Sequence, residues 1–176
     1  MKNLLLDLLK KESILKGEFV LSSGEKSDYY IDARISTLSS VSLGYIADIF
    51  YNQILDCNLN IVGGPSIGAD PIVGAILQKA SLDHNSFKGF LVRSSDKEHG
   101  TKKRIEGPDI SNQKVVIVED VVSTGGSILR TIDHLEEINC EVVLILSIVD
   151  REMGAIEKFL KKEIDYNPIF KISELL

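Results

Sequence analysis

The stretch Val115-Val116-Ile117-Val118-Glu119-Asp120-Val121-Val122-Ser123-Thr124-Gly125-Gly126-Ser127 decides how this chain is read. Four β-branched residues make a strand suited to a sheet interior, and two carboxylates follow where it emerges. A hydroxyl- and glycine-rich turn then runs into the helical spacing of Ile128 to Ile138. Backbone N–H groups of residues 123–127, turned inward as the glycines allow, and the positive end of the following helix form a seat for an anion. Glu119 and Asp120 would repel a phosphate, so they are assigned to sugar hydroxyls or to a divalent cation beside it. A phosphorylated ribose meets both demands. The plainer alternative is an ordinary strand-to-helix loop, but the order of strand, acid pair, two hydroxyls, two glycines, hydroxyl and helix is more restrictive. No Gly-Lys-Ser/Thr follows, and the spacing is not that of a dinucleotide fingerprint.

Outward from this segment, helix and strand patterns alternate. Leu4, Leu5, Leu8, Leu9 and Ile14 recur at helical spacing and predict an amino-terminal helix ending near Gly17. Phe19–Leu21 and Tyr29–Ile31 read as short strands, Leu43–Leu55 as a helix, and Asn60–Pro65 as a strand, after which Asp70 is expected to cap a helix with Pro71 in its first position. Gly89–Arg93 and the apolar run Glu141–Val149 are further strands. The pattern is that of an α/β fold with a parallel sheet flanked by helices, and the segments 63–70, 119–127 and 150–151 should meet beyond the carboxyl ends of its strands.

Composition narrows the function classes. The chain has 176 residues, 44% of them hydrophobic, which suits one domain. A formal net charge of −6 and a pI near 5.1 argue against general affinity for nucleic acid or anionic membrane. Two distant cysteines, Cys57 and Cys140, and no secretory leader or membrane-length apolar run point to a soluble cytoplasmic protein.

Within this acidic chain Arg93, Lys97, His99, Lys102, Lys103 and Arg104 concentrate positive charge on a Ser/Gly-containing segment, expected to be a flexible loop that closes over a polyanion. Cleavage at an anomeric carbon leaves negative charge on a departing diphosphate. Lys97 could supply a point charge there and His99 a hydrogen bond or proton, with Mg²⁺ sharing the task. Arg151 offers a planar fork suited to a carboxylate. His84 and His134 lack comparable neighbours in the sequence and are assigned to surface or structural places.

The phosphate cup resembles the signature of the type I phosphoribosyltransferases. Gly17 to Gly24 with Ser27 to Asp32, the Lys97-Glu98-His99-Gly100 loop and Val149-Asp150-Arg151-Glu152 resemble the orotate branch of that family. The resemblance implies a small amino-terminal hood (residues 1–40) on a core (41–176) forming a single phosphoribosyltransferase domain. It implies transfer of a phosphoribosyl group from 5-phosphoribosyl-1-diphosphate to orotate with Mg²⁺, in a homodimer with shared active sites. By position, Glu119, Asp120, Val121, Val122, Ser123, Thr124, Gly125, Gly126 and Ser127 would bind the phosphoribosyl moiety, and Arg93, Lys97 and His99 the diphosphate. Ser123 and Arg151 would meet orotate, while Lys97, His99 and Asp120 are the catalytic candidates. Ser94 and Ser22 stand where the family commonly has lysines, with Lys26 and Lys102 the nearest replacements. The alternatives are the same chemistry on a purine base and a regulatory protein that senses phosphoribosyl diphosphate.

Overall fold

The computed structural model describes residues 1–20, 26–94 and 104–176. In chain order its elements are α1 (Lys2–Leu8), a π-helical turn (Leu9–Ser13), β1 (Ile14–Val20), β2 (Lys26–Ile31), α2 (Ala33–Thr37), α3 (Ser40–Asp56), β3 (Ile61–Pro65), α4 (Ala69–Leu82), β4 (Lys88–Val92) and β5 (Ile105–Glu106). They continue with β6 (Lys114–Val122), α5 (Gly126–Glu136), β7 (Glu141–Asp150), α6 (Ala155–Leu160), β8 (Asp165–Lys171) and α7 (Ile172–Leu175).

β6 carries the opening motif and lies inside a six-stranded sheet ordered β5-β4-β3-β6-β7-β8. All neighbours pair in parallel except the short edge strand β5. Both faces are covered, which is why these strands read as continuous apolar runs. With side chains alternating along the strand, Val116 and Val118 pack into a core with Ile46, Phe50, Ile72 and Ile76 of α3 and α4. Val115 and Ile117 pack on the opposite face with Ile128, Ile132 and Phe159 of α5 and α6. Leu5 and Leu9 join the first of these cores. Truncating a fully buried residue such as Ile117 to alanine should cost about 2–5 kcal/mol.

The path of the chain through the sheet reverses between β3 and β6. From β3 it moves outward to β4, and from β6 it moves the other way to β7 and β8. In an open parallel sheet such a reversal leaves a crevice above the strand ends.

The amino terminus departs from its expectation. The helix ends at Ser13, and Ile14 (φ −96°, ψ 110°) starts a hairpin, pairing with Ile31 across β1 and β2. Two contacts favour this: Ser13 Oγ lies 2.8 Å from Ser36 Oγ in the interior, and the Asp32 N–H donates to the Ser13 carbonyl at 2.9 Å. Asp70 is likewise not a cap. α4 begins at Ala69, and the Asp70 carboxylate accepts a hydrogen bond from Ser66 Oγ at 2.8 Å. Pro71 in the third position is still harmless, because N–H groups of a first turn have no intrahelical partner.

Candidate active site

The crevice between β3 and β6 opens into a cavity of about 490 Å³. Its walls come from three loops at the strand ends, Pro65–Gly68, Glu119–Ser127 and Arg151, and from the hairpin exit Tyr30–Arg34. Of the residues singled out in the sequence, Glu119, Asp120, Val121, Ser123, Ser127 and Arg151 face this one space.

Glu119 is 6% exposed. Its Oε1 accepts from the Asp120 N–H at 3.1 Å, and its Oε2 lies 3.5 Å from Ser127 Oγ. Burial first, and then the adjacent Asp120 charge, push its carboxyl well above the usual range. A cation or a hydroxyl donor entering the cavity would relieve that cost. Opposite the pair stands Gly68, where any Cβ would run into Glu119 Oε1 and come 2.8 Å from Asp120 Oδ1. Any larger residue there would have to displace the ends of both carboxylates.

The turn after β6 has its carbonyls tied back. Val122 O accepts from the Arg151 N–H at 2.8 Å, Thr124 O from Lys158 Nζ at 2.8 Å, and Gly125 O from the Leu129 N–H at 2.9 Å. The N–H groups of residues 123–127 have no protein acceptor among the described residues, which leaves them for an anion. Gly125 is left-handed (φ 77°), and a Cβ there would lie 2.8 Å from Phe159 Cζ, so glycine is needed twice over. Thr124, Gly125 and Gly126 build this turn without lining the cavity. Val122, 2% exposed, points into the core and has only its backbone to contribute.

Arg151 is half-buried. Its guanidinium carbon lies 5.8 Å from the centre of the Tyr29 ring, and its Nε is buried with no hydrogen-bond partner among the described residues. The ring steadies the fork while leaving its edge toward the cavity. Arg93 stands in an adjoining cleft, its Nη1 3.7 Å from Glu106 Oε1. Lys97, His99 and Lys102 lie outside the described residues, as does the Leu21–Glu25 segment with Ser22.

Several features escaped the sequence reading. Asp32 caps α2 and holds Arg34, accepting from its N–H at 3.2 Å and its Nε at 3.1 Å; both residues line the cavity. The Arg34 guanidinium is held further above its ordinary pKa by Asp32 first, with the Asp120 charge adding to it. A cap acid directly after a strand was the only available signal. Ile67, 70% exposed, stands at the rim beside Gly68. His134 does have a neighbour: its Nε2 is 3.0 Å from Arg104 Nη1. Because arginine can only donate, that nitrogen accepts, which places the ring proton on Nδ1, 3.4 Å from Glu137 Oε1. The contact spans 30 positions and leaves no trace in the sequence.

Residues 44–173 match the model of the phosphoribosyl transferase domain. Over nearly the full length of both chains the protein is similar to orotate phosphoribosyltransferases of Rhodopseudomonas palustris (36% identity, covering 98% of this chain and 94% of the other) and Methanosphaera stadtmanae (39%, covering 98% and 95%). Its backbone superposes on the solved Mycobacterium tuberculosis orotate phosphoribosyltransferase in complex with 5-phospho-α-D-ribosyl 1-diphosphate with a TM-score of 0.81, at 29% identity and covering 99% and 98% of the two chains. An acid pair at a sheet crevice, an amide-lined turn beside it and relatedness of this extent agree: the chain belongs to the phosphoribosyl transferase family, in its orotate phosphoribosyltransferase branch.

Proposed function

We propose that the protein transfers the phosphoribosyl group of 5-phosphoribosyl-1-diphosphate to orotate, giving orotidine 5′-phosphate and diphosphate in pyrimidine synthesis. The observation that carries this reading is the grouping of the Glu119–Asp120 pair, the two ends of the following turn at Ser123 and Ser127, and the Arg151 fork around one cavity. The curated relatives bear the same activity in their names, and the solved mycobacterial relative holds the phosphoribosyl donor.

Each group then has a part. The amides of residues 123–127 seat the 5′-phosphate, and Glu119 and Asp120 take the ribose hydroxyls. Arg151 faces the carboxylate of orotate, with Ser123 beside the base and Tyr30 and Ile31 closing the cavity. As the bond at the anomeric carbon breaks, positive charge grows on the ribose beside the acids and negative charge on the diphosphate beside Arg93, Lys97 and His99. Catalysis comes from placement and charge stabilisation. The route is assigned no covalent intermediate.

Mg²⁺ fits as an ion carried by the diphosphate. Among the described residues no group of three His, Cys, Asp or Glu could cage a metal, yet Glu119 and Asp120 offer the one or two oxygen ligands that Mg²⁺ takes from protein when phosphates supply others. When bound it neutralises charge on the leaving diphosphate. The reading also includes one domain with a hood (1–40) on a core (41–176), a reducing cytoplasm, and a homodimer. Free Cys57 and Cys140 support the second, and exposed Ile35, Leu38 and Val41 offer apolar surface for the third. No described helix is long and apolar enough to cross a membrane.

The test is the loss of orotate absorbance on adding phosphoribosyl diphosphate and Mg²⁺; no loss sinks the proposal. Arg151→Ala should abolish orotate turnover while phosphoribosyl diphosphate still binds, and an unchanged rate would favour another base.

A further inference from the structure

The carbonyls of Val122, Thr124 and Gly125 are tied back behind the phosphate turn, and the ties differ in kind. Val122 O and Gly125 O are held by main-chain N–H groups, of Arg151 at 2.8 Å and of Leu129 at 2.9 Å. Thr124 O is held by a side chain, Lys158 Nζ at 2.8 Å. A trans peptide is planar, and its C=O and N–H point in opposite directions. Each tie therefore aims the N–H of the same plane the other way: that of Ser123 through Val122 O, of Gly125 through Thr124 O, and of Gly126 through Gly125 O.

The Val122–Ser123 plane leaves a strand and the Gly125–Gly126 plane enters a helix, so each is fixed by the element it joins. The Thr124–Gly125 plane lies between them. Gly125 is left-handed at φ 77°. Glycine takes φ of either sign at little steric cost, and the corresponding turn forms differ by a rotation of the plane before it. A turned plane would present the Thr124 oxygen, in place of an N–H, to an anion. One short helix opposes this. A Cβ on Gly125 would lie 2.8 Å from Phe159 Cζ and 3.3 Å from Ala155 Cβ, both on α6, and Lys158, three positions on from Ala155, reaches the adjoining carbonyl. Among the described residues no carboxylate pairs with Lys158. Its ammonium on the oxygen also polarises the peptide and strengthens the Gly125 N–H as a donor.

We propose that Lys158 is a positioning residue for the 5′-phosphate: by holding the Thr124 carbonyl outward it keeps the Gly125 N–H directed at the anion. The inference rests on the reading of residues 123–127 as the seat of that phosphate. A side chain outside the cavity lining thus sets affinity for the phosphorylated sugar.

The experiment is calorimetric titration of the full-length protein with ribose 5-phosphate. Lys158 is exposed, so Lys158→Met, which keeps the stem and removes the ammonium, should fold normally and melt close to the parent. It should bind ribose 5-phosphate about tenfold more weakly, as expected for losing one hydrogen bond to a charged group. The loss comes from the aim of an amide and not from attraction at a distance. The ratio between parent and variant should therefore persist at about 1 M salt, where the screening length is about 3 Å. Lys158→Arg, which can donate to the same carbonyl, should recover most of the affinity. Equal ribose 5-phosphate affinity in parent and Lys158→Met, a difference that disappears at high salt, or a loss that Lys158→Arg does not reduce would overturn the role of Lys158 and leave the phosphate seat standing. No ribose 5-phosphate binding by the parent would overturn the seat and the lysine together. Orotate consumption is read separately: its absence beside a salt-resistant tenfold loss in Lys158→Met removes the orotate assignment and leaves Lys158 in place.

Discussion

Two buried carboxylates stand at the ends of neighbouring parallel strands, Glu119 on β6 and Asp150 on β7, with 6% and 3% of their surfaces exposed. Burial is the leading cause that raises the pKa of each. Their surroundings differ. Asp150 accepts the Glu152 N–H at 2.9 Å and so closes the turn that presents Arg151. Glu119 has a second acid beside it, a hydroxyl only at 3.5 Å, and an open cavity in front. Equal burial thus serves a scaffold in one place and a binding site in the other. What distinguishes them is whether the protein itself completes the carboxylate's shell.

That contrast is breakable by substitution. Glu119→Gln should reduce orotate turnover by roughly a hundred- to a thousandfold, in the range seen for loss of a group that stabilises a charged transition state, while leaving the free protein at least as heat-stable as the parent at neutral pH. A destabilised variant with normal turnover would reverse the roles assigned to the two acids. Gly68→Ala, which drives a methyl into the acid pair, should approach the same loss, about a hundredfold, with the circular dichroism spectrum unchanged.

Asp150→Ala should act through Arg151. We expect about a tenfold rise in the KM for orotate, little change for phosphoribosyl diphosphate, and a stability loss of about 1–2 kcal/mol from the unpaired N–H. Asp150→Asn keeps an acceptor oxygen and should be near neutral on both counts.

Titration sharpens the comparison further. A carboxyl whose folded pKa is raised holds more protons in the folded than in the unfolded state. Its contribution to stability therefore falls as pH rises from its ordinary value, 4.5 for Glu119, through the higher folded value. The melting temperature of Glu119→Gln minus that of the parent should grow from pH 4 to pH 8, and a flat difference would remove the burial argument. The smallest effect belongs to Arg34→Gln, whose exposed pairing with Asp32 adds little to stability; turnover should drop only a few-fold.

The parallel sheet and the turn that follows β6 are readable because their signals are local: a β-branched run, an acid pair, and a glycine where a left-handed turn demands it. Other parts depend on the tertiary structure. β8 contains Asp165, Asn167 and Pro168, poor strand formers that are acceptable only at the sheet edge it occupies. Ile14 fits a helical spacing as well as a strand, and its pairing with Ile31 settled the matter. Arg34 and the Arg104–His134 contact acquire meaning only when distant segments meet.

The β1–β2 hairpin forms a two-stranded ladder of its own, separate from the six-stranded sheet that carries the acids and the cup. It is nevertheless seated on that frame through Ile14, Tyr29 and Ile31, and its Tyr29 ring lies against Arg151. A change of side chain on this ladder is therefore felt by the arginine fork without disturbing the strand pairing that holds the acids in place.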